Sequence, residues 1–213
     1  MAAAPAPQLL HADAHCIVAL KDSGLLSVPG RGEHGQDCLA ARVRAVHADA
    51  LVVHRLDMST SGLMVFARGP DAQRALSRAF AARTVHKRYV AVVAGRLSVD
   101  AGEIDLPLAA DWPNRPRQQV DLVGGKPSLT RWHVLSTDAA QDTTRLELEP
   151  VTGRAHQLRV HLRAIGHPIL GDALYAPPEI CARAVRLLLH ASRLAFAHPA
   201  SGAPLQFESA PPF

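Results

Sequence analysis

Lysine is scarce in this chain. Lys21, Lys87 and Lys126 are the only three among 23 basic residues, and the other twenty are arginines. Arginine's planar fork suits bidentate phosphate contacts and stacking on bases, which a lysine ammonium cannot imitate. The bias therefore leans toward nucleic acid, although an arginine-rich genome leaves the same trace. Cysteine is equally sparse: Cys16, Cys38 and Cys181 are odd in number, far apart and form no CxxC pair. That argues against a disulfide framework and a zinc knuckle. The opening residues 1–10 have no basic segment and no apolar core of signal length. No stretch approaches the roughly 20 apolar residues of a membrane span. No G-x-S-x-G elbow occurs, so a Ser-His-Asp hydrolase lacks its nucleophile turn. A reducing cytoplasm is the expected location.

What is present is a globular composition: 213 residues, 48% apolar against 20% charged, with a net charge of +4. That is enough chain for a sizeable core. Residues 1–12 read as a flexible tail and 13–213 as one domain with neither internal repeat nor linker. Strands are expected at 16–20, 25–28, 85–94, 102–108, 130–136, 143–148, 187–196 and 205–207. Helices are expected in three places: after an Asp37 cap, through Leu39, Val43 and Val46; after Pro70-Asp71, with Leu76 and Phe80 inward; and over 155–165. Residues 111–128 hold so many breakers that they read as a long exposed loop. Strands outnumber helices and cluster in hairpin-like runs, so the fold class is α+β: a mixed, mostly antiparallel sheet flanked by helices and loops.

Two stretches carry chemistry. In the first, apolar residues 51–53 lead into His54-Arg55-Leu56-Asp57, a polar run follows, and Leu63-Met64-Val65-Phe66-Ala67 resumes an apolar strand. Asp57 then sits in a tight turn between two core strands, which is how a rigid scaffold presents a carboxylate. A turn aspartate bonding its own backbone fits the same spacing. The second is Gly153-Arg154-Ala155-His156-Gln157-Leu158-Arg159-Val160-His161. As a helix it places Leu158, Leu162 and Ile165 on one side and His156, Arg159 and Arg163 on another. A solvated basic stripe is the bland alternative. The spacings of the twelve histidines, such as His156 with His161, give no i, i+4 pair on one helical face, and no carboxylate completes a ligand set, so no metal is expected.

The first stretch, with Thr60-Ser61-Gly62-Leu63 after it, resembles the catalytic motif of the RluA family of pseudouridine synthases. Lys87-Arg88-Tyr89 resembles that family's Lys-x-Tyr segment. Residues 153–161 resemble its Gly-Arg-Thr/Ser-His-Gln-Leu-Arg-Val-His segment, with Ala155 at the hydroxyl position. Gly166-His167-Pro168-Ile169-Leu170-Gly171-Asp172, Leu189-His190-Ala191 and Phe196-Ala197-His198-Pro199 follow in family order. Asp22 stands where family members usually carry a proline. The resemblance runs from about Cys16 to Phe207.

It implies a pseudouridine synthase fold with the active-site cleft across the sheet, residues 13–213 as the catalytic domain, isomerisation of uridine in RNA, and no cofactor. It also implies Asp57 as nucleophile, Arg159 in a salt bridge to it, and Tyr89 stacking on the uracil and accepting the C5 proton. His54, Arg55, Arg154, His156, Trp112, Arg115 and Arg117 are the candidate RNA contacts, with Arg55 filling the space of a flipped base. Residues 23–31 and 111–116 narrow the expected targets to a 23S ribosomal RNA hairpin and tRNA anticodon stem-loops. Many relatives carry an S4-type RNA-binding domain ahead of the catalytic one, and this sequence is expected to lack it. The enzyme is expected to act as a monomer. A glycoside hydrolase would want a second carboxylate beside Asp57, and neither stretch offers one. A purely RNA-binding module on the same fold would have no use for a carboxylate facing phosphates.

Overall fold

A computed structural model describes residues 5–30, 32 and 35–213. The architecture is α+β, with a mostly antiparallel sheet and few helices. The chain divides into two compact units, Met1–Lys87 with Ala191–Pro211, and Arg88–His190 with Pro212–Phe213.

The first unit starts with a hairpin of β1 (Gln8–Ala12) and β2 (Cys16–Lys21), paired antiparallel. Residues 8–12 are therefore not a tail, as the sequence suggested; residues 1–4 and 31 lie outside the described residues. The weak alternation of Gln-Leu-Leu-His-Ala hid an edge strand whose backbone bonds come from its neighbour. Residues 25–28 form no strand; only Leu26 makes an isolated bridge, to Cys38. Helix α1 (Leu39–Val46) follows, capped not by Asp37 but by the Cys38 sulfur, which accepts Ala41 N–H at 3.3 Å. Asp37 instead pairs with Arg42, at 2.8 and 2.7 Å. Leu39 and Val43 are buried as expected, while Val46 is exposed.

The short β3 (Ala50–Val52) pairs antiparallel with β4 (Ser61–Arg68), which also pairs with β2. Seven consecutive residues of β4 are buried, the signature of a strand covered on both faces. Helix α2 (Gly69–Ala81) starts with Pro70 in its first turn and Asp71 beside it, where a missing N–H and a negative charge both suit a helix N-terminus. Its Ala72 and Leu76 join Cys16, Val18, Leu63, Val65 and Ala67 in the core of this unit.

Strand β5 (His86–Ala94) leads into the second unit, which continues with β6 (Ala101–Asp105), β7 (Leu108–Ala110), β8 (Gln118–Val120), β9 (Leu129–Asp138), β10 (Thr143–Pro150), α3 (Gln157–Ala164) and α4 (Pro178–Cys181). Pairing runs β5-β10-β9-β6, all antiparallel. The single strand expected over 102–108 is two: β6 stops at Asp105, and β7 pairs with β8 in a separate two-stranded sheet. The expected loop 111–128 thus contains a strand. Its breakers concentrate in two turns, at 111–117, where Asp111 N–H bonds Arg117 C=O, and at 121–125. The three residues between them were masked by their surroundings.

Strands β11 (Leu189–Ala197) and β12 (Pro204–Glu208) return to the first unit and pair antiparallel. There β4 neighbours β11. Gly62 makes that approach possible: a Cβ on it would lie 2.4 to 2.5 Å from the backbone N and O of Ala191, at a φ of 121°.

Candidate active site

His54, Arg55 and Asp57 belong to the first unit; Tyr89, Trp112, Arg115, Arg117, Arg154, His156 and Arg159 belong to the second.

Asp57 lies half-buried in the turn that joins β3 to β4. The turn is laced to residues 21–27 on both sides of the carboxylate. Ser27 Oγ donates to Leu56 C=O at 2.7 Å and accepts Leu56 N–H at 3.0 Å. Gly24 N–H donates to Met58 C=O at 2.8 Å, and Ser23 Oγ to Ser59 C=O at 2.8 Å. Thr60 N–H closes the turn on Asp57 C=O at 3.1 Å.

Lys21 is the keystone. Its side chain is fully buried, and its Nζ donates to the carbonyls of Asp22, Leu25 and Met58 at 2.8, 2.6 and 2.9 Å. Charge-assisted bonds of this length are about twice as strong as neutral ones, so one ammonium ties the two loops together beside the carboxylate. Sequence reasoning attended to Asp22 and missed Lys21. The available signal was a lysine closing an otherwise apolar strand.

Arg55 is exposed. His54 differs from expectation. Its Nε2 accepts Val65 N–H at 3.1 Å, and its ring stacks on Phe80 with centroids 4.6 Å apart. Burial, with the positive charge of Lys87 nearby, pushes its pKa down to about 3. The neutral ring buttresses the strand–turn junction from within, so its assignment as an RNA contact is corrected.

In the second unit, Tyr89 on β5 is half-buried, stands opposite Leu148 of β10 and packs against the core of this unit. The neighbouring Arg88 pairs with Glu149 at 3.0 Å. Trp112 and Arg115 sit at the tip of the β7–β8 hairpin, with the Arg115 guanidinium 4.9 Å from the Trp112 ring centroid. Trp112 is 67% exposed, an uncommon position for a large apolar surface. Arg117, at the base of this turn, is half-buried, and its carbonyl closes the turn.

Helix α3 departs most from the expected basic stripe. All residues from Gln157 to Leu162 are buried. Arg159 is 3% exposed, and Asp172 binds it through two bonds, to Nε at 2.8 Å and Nη2 at 2.6 Å. Periodicity alone assigned Arg159 to a solvent face because it could not see the loop carrying Asp172. Gly171 permits that loop, since a Cβ there would lie 1.8 Å from Arg186 O. His156 is not on the helix but precedes it, at a left-handed φ of 54°.

Gln157 and His161 are architectural. The Gln157 amide is bonded to Thr152, Arg154 N–H, Leu129 C=O and Thr130, and the His161 ring to Thr130 and Leu106 C=O. Burial pulls the pKa of His161 down, in keeping with a neutral ring. Arg154 remains exposed, its Nε donating to Pro127 C=O at 3.3 Å.

The folded chain also gathers metal-type donors that spacing did not reveal. His11 Nε2, an Asp13 carboxylate oxygen and Cys16 Sγ lie within 4.8 Å of one another. Their chemistry favours hydrogen bonding. Asp13 Oδ2 lies 2.7 Å from His11 Nε2 and 3.2 Å from His198 Nε2, while burial and then the Asp13 charge push the Cys16 thiol up to about 12. Zinc needs the thiolate, which these surroundings disfavour. All three cysteines are free.

A half-buried carboxylate on a braced turn of the first unit and a buried arginine of the second are parts suited to charge-controlled chemistry. Residues 15–164 match the model of the family described as RNA pseudouridylate synthase, and the chain belongs to that family. It is an RNA pseudouridine synthase, an isomerase with RNA as substrate.

The chain is 48% identical over 209 residues to the dual-specificity RNA pseudouridine synthase RluA of Pasteurella multocida, covering 98% of this chain and 95% of that protein. It is 50% identical over 201 residues to the protein of the same name from Escherichia coli K12, covering 94% and 91%. Among solved structures, human RNA pseudouridylate synthase domain containing 1 superposes with a TM-score of 0.82 at 27% identity, over 100% of this chain and 87% of that one. Human RNA pseudouridylate synthase domain containing 4 gives 0.76 at 27%, over 96% and 88%. Among the described residues no helix is long and apolar enough to cross a membrane.

Proposed function

We propose that this chain converts uridines to pseudouridine in two kinds of stem-loop, one in 23S ribosomal RNA and one in the tRNA anticodon arm, with Asp57 as nucleophile. The bracing of the Asp57 turn carries the assignment of the nucleophile. Backbone carbonyls at 56, 58 and 59 are held by Ser27, Lys21 with Gly24, and Ser23, so the intervening carboxylate has little freedom. Near-identity of motif and half identity to dual-specificity enzymes support the choice of targets.

Uridine must lose its N1–C1′ bond, turn its ring and rejoin C1′ through C5, releasing the C5 proton. Asp57 assists either by adding to the nucleoside or by promoting glycal formation at C2′. Tyr89 stacks on the uracil and accepts the C5 proton. Arg159 pairs with Asp57 and orients it for attack; its own orientation is fixed by Asp172.

The target base leaves its stack to react, and Arg55 fills the vacated place. Arg154, Arg115 and Arg117 hold phosphates, and Trp112 offers a stacking face. The two units together serve as one catalytic domain, active as a monomer in the cytoplasm. Two buried free thiols, Cys16 and Cys38, suit such a reducing compartment.

Tritium release from C5-labelled uridine in the two transcripts tests this reading. Release from both supports it; release from one alone removes the dual specificity; release from neither overturns the choice of targets.

A further inference from the structure

We infer that Tyr175 is a positioning residue that couples the β7–β8 hairpin to Arg159, an inference that rests on the proposed roles of the hairpin in RNA binding and of Arg159 at the nucleophile. Tyr175 is 3% exposed and touches four elements of the site's support. Its hydroxyl oxygen accepts Gln118 N–H, the first residue of β8, at 2.8 Å. The same hydroxyl lies 2.6 Å from His156 Nδ1, immediately before α3. Its ring lies under Arg159, with the guanidinium carbon 5.0 Å from the centroid. Its backbone N–H donates to Asp172 Oδ1 at 3.2 Å, the oxygen that also binds Arg159 Nη2.

One side chain therefore ends on the hairpin and lies flat against the arginine. The surrounding packing follows the same path. Tyr175 forms a small core with Leu108 of β7 and Val160 of α3, with Val120 of β8 and Leu174 packed against it. This core is separate from the larger one of the unit. The Gln118 N–H donates to the hydroxyl oxygen, and a second short hydrogen bond joins that oxygen to His156 Nδ1. That bond holds His156 at its left-handed φ of 54°, a conformation unfavourable for a residue with a Cβ.

Force on the hairpin tip, where Trp112 and Arg115 stand, thus reaches α3 through the Tyr175 hydroxyl and reaches Arg159 through its ring. The hydroxyl thereby anchors the hairpin to the support of Arg159, so that RNA held at the tip is placed relative to that cation.

The test compares wild type, Tyr175→Phe, Trp112→Ala and the double variant on a stem-loop substrate, with time-resolved fluorescence anisotropy of Trp112 without RNA in a Trp132→Phe background. Tyr175→Phe keeps the ring and removes only the hydroxyl. It is expected to raise KM about 5- to 10-fold, leave kcat within about 2-fold, and add nothing in the Trp112→Ala background, since coupled residues depart from additivity. The fast local motion of Trp112 should grow. His156→Ala, which removes the hydroxyl's hydrogen-bond partner before α3, should increase the same motion and supplies the result if the Tyr175 variant does not fold.

Unchanged Trp112 motion in both variants overturns the inference, as does an additive double variant. If Trp112→Ala itself leaves KM unmoved, the role of the hairpin in RNA binding fails and the coupling falls with it, while the anisotropy still reports whether the hydroxyl anchors the hairpin. A purely structural Tyr175 would lower the melting temperature in every background and leave KM additive.

Discussion

The Asp57 turn and the Arg159 helix hold their charged groups by opposite means. Around Asp57 the bracing acts on the backbone: a buried ammonium and neutral donors grip carbonyls on either side. Around Arg159 the charged group itself is clamped, by a carboxylate that takes two of its nitrogens in a nearly water-free setting. On the proposed roles, the contrast follows from the two jobs: a nucleophile is aimed by bracing its turn, and a cation that orients and neutralises is fixed through its own head group.

The contrast is open to direct attack. Asp172→Asn should have the largest effect on stability, about 3–5 kcal/mol, because it takes the bidentate carboxylate away from a buried guanidinium. Chemical denaturation checks this, and a loss below about 1 kcal/mol would show that the pair is not what fixes Arg159. Lys21→Met leaves three carbonyls without their ammonium and should lower stability by about 2–3 kcal/mol. It should also lower kcat with little change in KM for RNA, since the turn loosens but the RNA surface stays; a KM effect alone would place Lys21 at the RNA instead. Trp112→Ala should weaken RNA binding by about 1–2 kcal/mol, the scale of one lost stacking contact, and leave stability unchanged.

A pH-dependent effect concerns His54. Its folded pKa of about 3 lies below the ordinary 6.5. The unfolded chain therefore takes up this proton first, and stability falls as pH drops from about 6.5 toward 3. His54→Leu should flatten that part of the stability–pH curve. An unchanged slope would mean the ring is not held neutral.

Much of this was legible beforehand. The strand–turn–strand around Asp57, the pairing of 130–136 with 143–148 and the helix after Pro70 all emerge from apolar periodicity and turn residues. What escaped was long-range. Lys21 and Asp57 are far apart in sequence, as are Arg159 and Asp172, and no local pattern announces that a loop carboxylate will cover a helix face. Dense breakers at 111–128 concealed β8 because three ordinary residues between two turns carry almost no periodic signal. Cys38 took the cap expected of Asp37 because a bidentate arginine competed for the carboxylate.

The most direct test of the central claim is the comparison of turnover and RNA affinity for Asp57→Asn. The substitution keeps the size of the side chain and leaves the backbone bracing of the turn in place. Single-turnover pseudouridine formation should disappear while the Kd for the stem-loop stays within a few-fold of wild type. Residual turnover near the wild-type rate, or equal loss of binding and turnover, would contradict Asp57 as the nucleophile and make it a structural residue of the turn.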